Sequence, residues 1–236
     1  MKNIFKPFGI IAIITIIGFS VFAPAKVYAQ EYDSESDFQI DWDPNVKGGV
    51  IITKYIGNKT VVNIPPKIKD NPVTGIGNSA FIGVLNDNYT KAGYITTVTI
   101  PDGVKSIGVN AFRDCSNLTS INIPNGITII RNGAFMGCKF TSVTIPDSVT
   151  TIEDQAFSQS GLTSIIIPKN VTSIGALAFY CFKLTSVTFQ GNIPANKFGG
   201  SGWSVFQGDL DKIYLARNGG IGTYTRFDNG ETWKKK

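Results

Sequence analysis

Histidine is absent from all 236 residues. That removes a Ser-His-Asp triad, a Cys-His pair and any zinc site built on imidazole. Cysteine is scarce: there are three, and an odd number in an exported protein leaves at least one thiol free. Charged residues make up 17% of the chain. The formal charge of +5 shrinks on inspection, because residues 1–29 hold three lysines and no acid, leaving 19 basic against 17 acidic residues in the remainder. Three of those basic residues are Lys234, Lys235 and Lys236. Nothing here resembles the clustered basic face of a nucleic-acid binder. After Ala23 no apolar run approaches the roughly 20 residues a spanning helix needs.

What the chain does have begins with MKNIFKPFGIIAIITIIGFSVFAPAKVYAQ. Lys2 and Lys6 precede an apolar run from Phe8 to Ala23, and Val27-Tyr28-Ala29 places small residues one and three positions before a cut. This is the layout of a cleaved signal peptide over 1–29. A retained anchor is the alternative, but a run of 16 residues is short for it. Residues 30–47 include EYDSESDFQIDWD, six acids without a base, and read as a solvated, flexible arm.

The body of the chain repeats. Phe81, Phe112, Phe135, Phe157 and Phe179 are separated by 31, 23, 22 and 22 residues. Pro101, Pro124, Pro146 and Pro168 keep the same beat, as do Ile100, Ile123, Ile145, Ile167 and Phe189. Several columns sharing one period of 22–23 residues indicate a solenoid. Within one unit, LTSIIIP alternates with period two and ends on proline, which marks a short strand. Val171 and Ile174 then form a second apolar pair, and Ala178-Phe179 opens a turn or brief helical segment. One coil cannot bury its own apolar face, so coils must stack. The expected inward columns are Leu118/Phe140/Leu162/Leu184, then Val98/Ile121/Val143/Ile165/Val187, then the Ile100 column, the second-strand pair and Ala-Phe. The predicted fold is a repeat solenoid of mostly short parallel strands and turns. Residues 48–94 are its N-terminal cap and first repeat with an inserted loop, 95–189 its regular repeats, and 190–236 an aromatic and glycine-rich cap. That last segment crowds together Phe198, Trp203, Phe206, Ile213, Tyr214, Leu215, Tyr224 and Trp233.

The motif L-T-S-[VI]-x-I-P-x-x-V-T-x-I-G-x-x-A-F at 118–135, 140–157 and 162–179 resembles the BspA-like leucine-rich repeats of bacterial surface proteins. The opening GGVIITKYIGNKTVVNIP resembles a first unit of that family, and KIYLARNGGIGTYTR followed by TW resembles the ending of its spirochaete members. The resemblance implies an exported, non-enzymatic protein displayed at the cell surface or released, with the periplasm as an alternative. It also implies partners among host matrix proteins such as fibronectin or fibrinogen, or among other bacterial surface proteins. A self-assembling envelope protein is the runner-up. A polysaccharide-active β-helix enzyme is a remote third reading. It would need acids in register on neighbouring coils, whereas the position after proline reads Asp102, Asn125, Asp147, Lys169.

No cofactor, metal site or catalytic residue is expected. Asp41-Trp42-Asp43-Pro44-Asn45 begins like a calcium loop but lacks the glycine and glutamate that complete one, and reads as a polar turn. Cys115 and Cys138 fall in one column with Ser160, while Cys181 is offset by one. Either a rung-to-rung disulfide or a packed column of small side chains fits, and the mixed column favours packing. Contact with a partner is expected on the first strand's outward column, Thr99, Asn122, Thr144, Ile166 and Thr188. Beside it runs a hydroxyl row of Thr97, Ser120, Ser142, Ser164 and Ser186. A second candidate is the insertion that stretches the Phe81–Phe112 spacing, with Asn86, Asp87, Tyr89 and Lys91. Deleting 84–91 is expected to spare folding and weaken binding.

Overall fold

The computed structural model describes residues 31–85, 88–199, 203–216, 219–227 and 230–236. The expected signal peptide lies outside them. Strands are short throughout. The opening segment contains β1 (Phe38–Trp42), β2 (Val50–Tyr55), β3 (Val61–Asn63), β4 (Lys67–Ile68) and β5 (Asn71–Ile76). The insertion is a hairpin of β6 (Val84–Leu85) and β7 (Asn88–Tyr89). The repeats supply β8 (Thr97–Thr99), β9 (Ser106–Ile107), β10 (Ser120–Ile121), β11 (Ile129–Ile130), β12 (Thr151–Ile152), β13 (Ser164–Ile167), β14 (Ser173–Ile174) and β15 (Ser186–Phe189). The closing segment adds α1 (Leu210–Leu215), β16 (Gly222–Thr225) and β17 (Lys234–Lys235). Among the described residues, helix is confined to this segment and to three single turns, at Glu35–Asp37, Lys91–Tyr94 and Ala195–Lys197. The repeat segments after Ala-Phe are hydrogen-bonded turns rather than helix.

Each coil therefore contributes to three rows. The LTS segments form the first, with β3, β8 and β10 parallel and in register, and β13 parallel to β15. The TSI segments form the second, β11, β12 and β14, again parallel. The Ala-Phe turns form the third, and here the backbone alternates. Gln155, Phe157 and Gln159 donate their N–H groups to the carbonyls of Ala176, Ala178 and Tyr180 on the next coil. Ala156, Ser158 and Ser160 instead donate to carbonyls three residues back. The alternation requires left-handed residues on either side of the phenylalanine, and Asn110, Asp114, Gln155, Gln159 and Leu177 all have φ near +56°. Only Gly133 and Gly137 fill such positions with glycine, so the other coils carry strain of about 1 kcal/mol at each.

The phenylalanines make one file of rings. Phe81, Phe112, Phe135, Phe157 and Phe179 stack with centroids 4.9, 5.6, 5.3 and 5.3 Å apart and interplanar angles of 21° or less. Tyr55 extends the file at one end (5.4 Å) and Phe206 at the other (5.3 Å). Both ends thus continue the core as well as cover it. All of these rings are buried, and each contributes on the order of 2–3 kcal/mol by burial. The predicted inward columns are buried as well, with two exceptions: Ile121 and Val143 are only partly covered.

Residues 33–42, expected as part of a flexible arm, are folded. Strand β1 pairs antiparallel with β2, and Phe38 enters the core. Buried Asp33 donates its N–H to the Asn63 carbonyl, while its carboxylate accepts from the Asn63 N–H (3.1 Å) and the Lys59 ammonium (2.7 Å). The acid-rich composition hid this because one carboxylate is used internally to seal the edge of β3. Lys234 and Lys235 likewise form edge strand β17 on β16, rather than a loose tail.

At the far end Phe198, Phe206, Tyr214, Tyr224 and Trp233 are buried, whereas Trp203 and Leu215 are exposed. Buried Arg226 locks this end. It donates to the carbonyls of Leu184, Cys181, Phe182 and Gly230 and lies 5.0 Å over the Trp233 ring. Asp43, from the calcium-like stretch, accepts from the Asn45 N–H and the Thr74 hydroxyl, so that stretch is a turn.

The three cysteines are free and buried. Cys115, Cys138 and Cys181 donate their thiols to the carbonyls of Phe81, Phe112 and Phe157 on the preceding coil. Ser160 contacts Cys181 Sγ at 3.2 Å. Cys181 therefore joins the column despite its offset in sequence. Burial pushes the thiols of Cys115 and Cys181 up to about 12 and about 11, and Cys138 upward as well. These are packing groups, not nucleophiles.

Candidate binding face

Period-two alternation in the first row sends Ser and Thr outward while Val and Ile face the core. The outward residues of five successive coils, Thr97 and Thr99 through Ser186 and Thr188, carry no charge. Several polar groups nearby are already occupied. The threonine preceding each strand donates its hydroxyl to the threonine carbonyl one coil back: Thr96 to Thr60, Thr119 to Thr96, Thr163 to Thr141 and Thr185 to Thr163. The repetition of LTS in the sequence signals that column, but its role as a rung-to-rung clamp is visible only in three dimensions.

The candidate contact residues divide accordingly. The Asn122 amide makes two 2.8 Å bonds to Ile100, accepting from its N–H and donating to its carbonyl, and so replaces a missing backbone pair. Thr188 Oγ1 lies 2.9 Å from Thr223 Oγ1 on β16. Lys91 donates to the Ile56 carbonyl at 2.9 Å, which ties the insertion to the first coil. Tyr89 ends the hairpin strand β7, opposite Val84. Asn86 and Asp87 lie outside the described residues. Thr99 and Thr144 remain without a side-chain hydrogen bond. The insertion also proves better anchored than a simple loop. Thr90 donates its hydroxyl to Ile82 and Gly83, and Ala92 and Ile95 are buried. At Gly83, where the hairpin leaves the coil, a Cβ would run into the Asp114 carbonyl. A deletion reaching Lys91 would therefore cut structural bonds.

The first row opens at its middle. Among the described residues, no backbone N–H or carbonyl of Ser142–Ile145 is hydrogen-bonded, although the coils on both sides continue the row. Phe140 starts this rung where its neighbours have Leu118, Leu162 and Leu184, and its ring packs edge-on against Phe135 and Phe157 at 6.2 and 6.4 Å. Beside the opening lies a groove of about 410 Å³ lined by Ser142, Thr144, Ser164, Ile166, Asp147 and Gln190, among others. Ile166 stands 55% exposed on its rim. Free hydroxyls, unpaired backbone and exposed aliphatic surface therefore meet at one place, halfway along an uncharged face. The sequence marks Thr144 and Ile166 as outward but gives no sign that the ladder opens between them.

A capped solenoid of 22-residue coils with a stacked phenylalanine core is a repeat-built scaffold of the leucine-rich type. The family model for the BspA type leucine-rich repeat region matches residues 83–201 in six copies, and the chain belongs to that family. Among solved structures it is similar to a leucine-rich repeat protein of T. pallidum, at 31% identity and a TM-score of 0.60 over 66% of this chain and 71% of that one. It is also similar to a leucine-rich repeat protein of Bacteroides ovatus, at 33% identity and a TM-score of 0.57, over 68% of this chain and 41% of that longer one. Comparison with curated proteins gave no match.

Proposed function

We propose that this protein is an exported, non-catalytic interaction module that binds proteins through the uncharged face of its first strand row. Family membership supports the coarse reading of a protein-interaction scaffold. The observation that carries the finer reading is the opening at Ser142–Ile145, where backbone donors and acceptors stand free beside an exposed isoleucine. Such a combination suits an extended peptide segment. Backbone pairing supplies affinity, and alternate side chains supply selectivity. Bacterial surface display and host matrix proteins are the setting and partner class in which this chemistry is of use. The mature chain would begin near Gln30.

The test is a solid-phase assay against fibronectin, fibrinogen and other matrix proteins, with three variants. Thr144→Arg places a charge at the opening and is expected to lower affinity at least tenfold, about 1.4 kcal/mol. Shortening the hairpin tip within residues 85–88 reports on the second candidate. Lys212→Glu, away from both, is the control. Equal binding by Thr144→Arg and the unmodified protein would refute the assignment of the face.

A further inference from the structure

The two ends of the solenoid carry opposite charge on open strand edges. At the first end, residues 31–43 contain six acids and no base. Asp33 and Asp43 are used internally, while Glu31, Glu35 and Asp41 are exposed, with one Glu35 oxygen accepting the Lys69 N–H at 3.0 Å. Strand β1 pairs only with β2 among the described residues, so its other edge is open, and Trp42 stands 64% exposed on it. At the opposite end β17 pairs, among the described residues, only with β16, and its edge carries exposed Lys234 and Lys236 on either side of Lys235, whose ammonium donates to the Gly219 carbonyl at 3.0 Å.

The topology aligns these features. The row that ends in β17 begins at β3, whose outer edge is covered by Asp33 and its acidic neighbours. The row that begins at β1 ends where Ile174 bridges to Phe198, beside exposed Lys197. Translating one copy along the solenoid axis therefore brings lysine edges onto acidic edges in both rows. Equal ends repel each other, lysine against lysine and acid against acid. Edge charge of one sign is a usual guard against pairing with a like edge, and here it leaves only the unlike pairing open.

We propose that copies of this chain associate head to tail, the Lys234–Lys236 edge of one docking on the Glu31–Glu35 segment that covers β3 of the next, and Lys197 on the Asp41 edge of β1. Contacts of this heterologous kind do not close, so they extend into chains.

The test is sedimentation velocity on the purified protein across concentration and salt, with circular dichroism confirming that each variant is folded. At about 20 mM salt the mass is expected to grow with concentration beyond a dimer. Raising salt to about 500 mM should weaken association at least tenfold, as expected for exposed charge pairs. Lys234→Glu/Lys235→Glu/Lys236→Glu and Glu31→Lys/Glu35→Lys/Asp41→Lys should each be monomeric alone. Mixed in equal amounts they should associate again and extend into alternating chains, since the native lysine edge of one meets the native acidic edge of the other and the two swapped ends also pair. A monomer at every concentration and salt overturns the proposal. So does association that ignores salt, a dimer that persists in either variant alone, or a mixture that stays monomeric.

Discussion

The turn row and the first strand row run side by side through the same coils, yet they are built to different standards. The turn row is unbroken from Tyr55 to Phe206, with seven stacked rings and backbone bonds joining each coil to the next. It keeps this order despite left-handed residues that are mostly not glycine. The strand row uses the easier backbone geometry and is interrupted at Ser142–Ile145. Continuity here follows the side chains beneath the backbone rather than the ease of the backbone itself. Identical rings repeat at one spacing, whereas a single Phe140 among leucines coincides with the gap.

The most direct way to break the contrast is Phe157→Ala. It removes a ring from the middle of the file and should cost about 3–5 kcal/mol in denaturant unfolding, the range for a deleted core aromatic. Thr144→Ala, in the opened rung, should stay within about 0.5 kcal/mol, as surface substitutions do. A cost under 1 kcal/mol for the phenylalanine would mean that the file does not carry the fold.

Arg226→Ala attacks the closure at the file's far end. It leaves several buried carbonyls without a donor and should cost on the order of 3 kcal/mol, with early melting of residues 203–236 followed by hydrogen exchange.

A pH dependence should appear at the same end. Asp211 accepts from the N–H groups of Val205 and Phe206 (2.6 and 3.2 Å) and so positions the last ring. Burial nevertheless outweighs these bonds and pushes its carboxyl up from 3.8 to about 6. The folded state therefore holds this proton more tightly than the unfolded chain. Stability linked to it is complete below pH 3.8 and is lost as pH rises through about 6. The loss is on the order of 2–3 kcal/mol. Asp211→Asn should flatten that part of the stability profile, and an unchanged slope would remove Asp211 as its source.

Smaller changes sharpen the contrast instead of breaking it. Phe140→Leu matches the rung to its neighbours and should restore its ladder, read as at least tenfold slower amide exchange at Val143–Ile145. Unchanged exchange would clear Phe140 of responsibility for the gap. Leu177→Gly relieves a left-handed leucine at φ 56° and should stabilise by up to about 1 kcal/mol. A loss of stability would show that the leucine side chain earns its place by packing.

The regular coils were legible because several columns repeat with one period, and no other arrangement buries them all. The ends were not. Tyr55 and Phe206 sit 26 and 27 residues from their neighbours in the file, outside the period, and only their stacking shows the continuity. The acidic stretch misled because composition counts charges without saying which one is turned inward, as Asp33 is. Cys181 looked displaced because the loop before it is shorter, while its sulfur still reaches Ser160 and the Phe157 carbonyl. The candidate face was legible as a pattern of outward hydroxyls. Asn122 standing in for a backbone pair, and the gap in the ladder at Ser142–Ile145, depend on distances no spacing rule contains.

The file of stacked rings has a consequence for how such a chain can vary. Along the turn row each interior coil offers the same ring and backbone pattern to its neighbours, while the closures rest on Asp33 at one extremity and Arg226 at the other. An in-frame gain or loss of one 22-residue unit would leave both closures untouched and merely lengthen or shorten the cylinder. Reach is thus adjustable by whole turns.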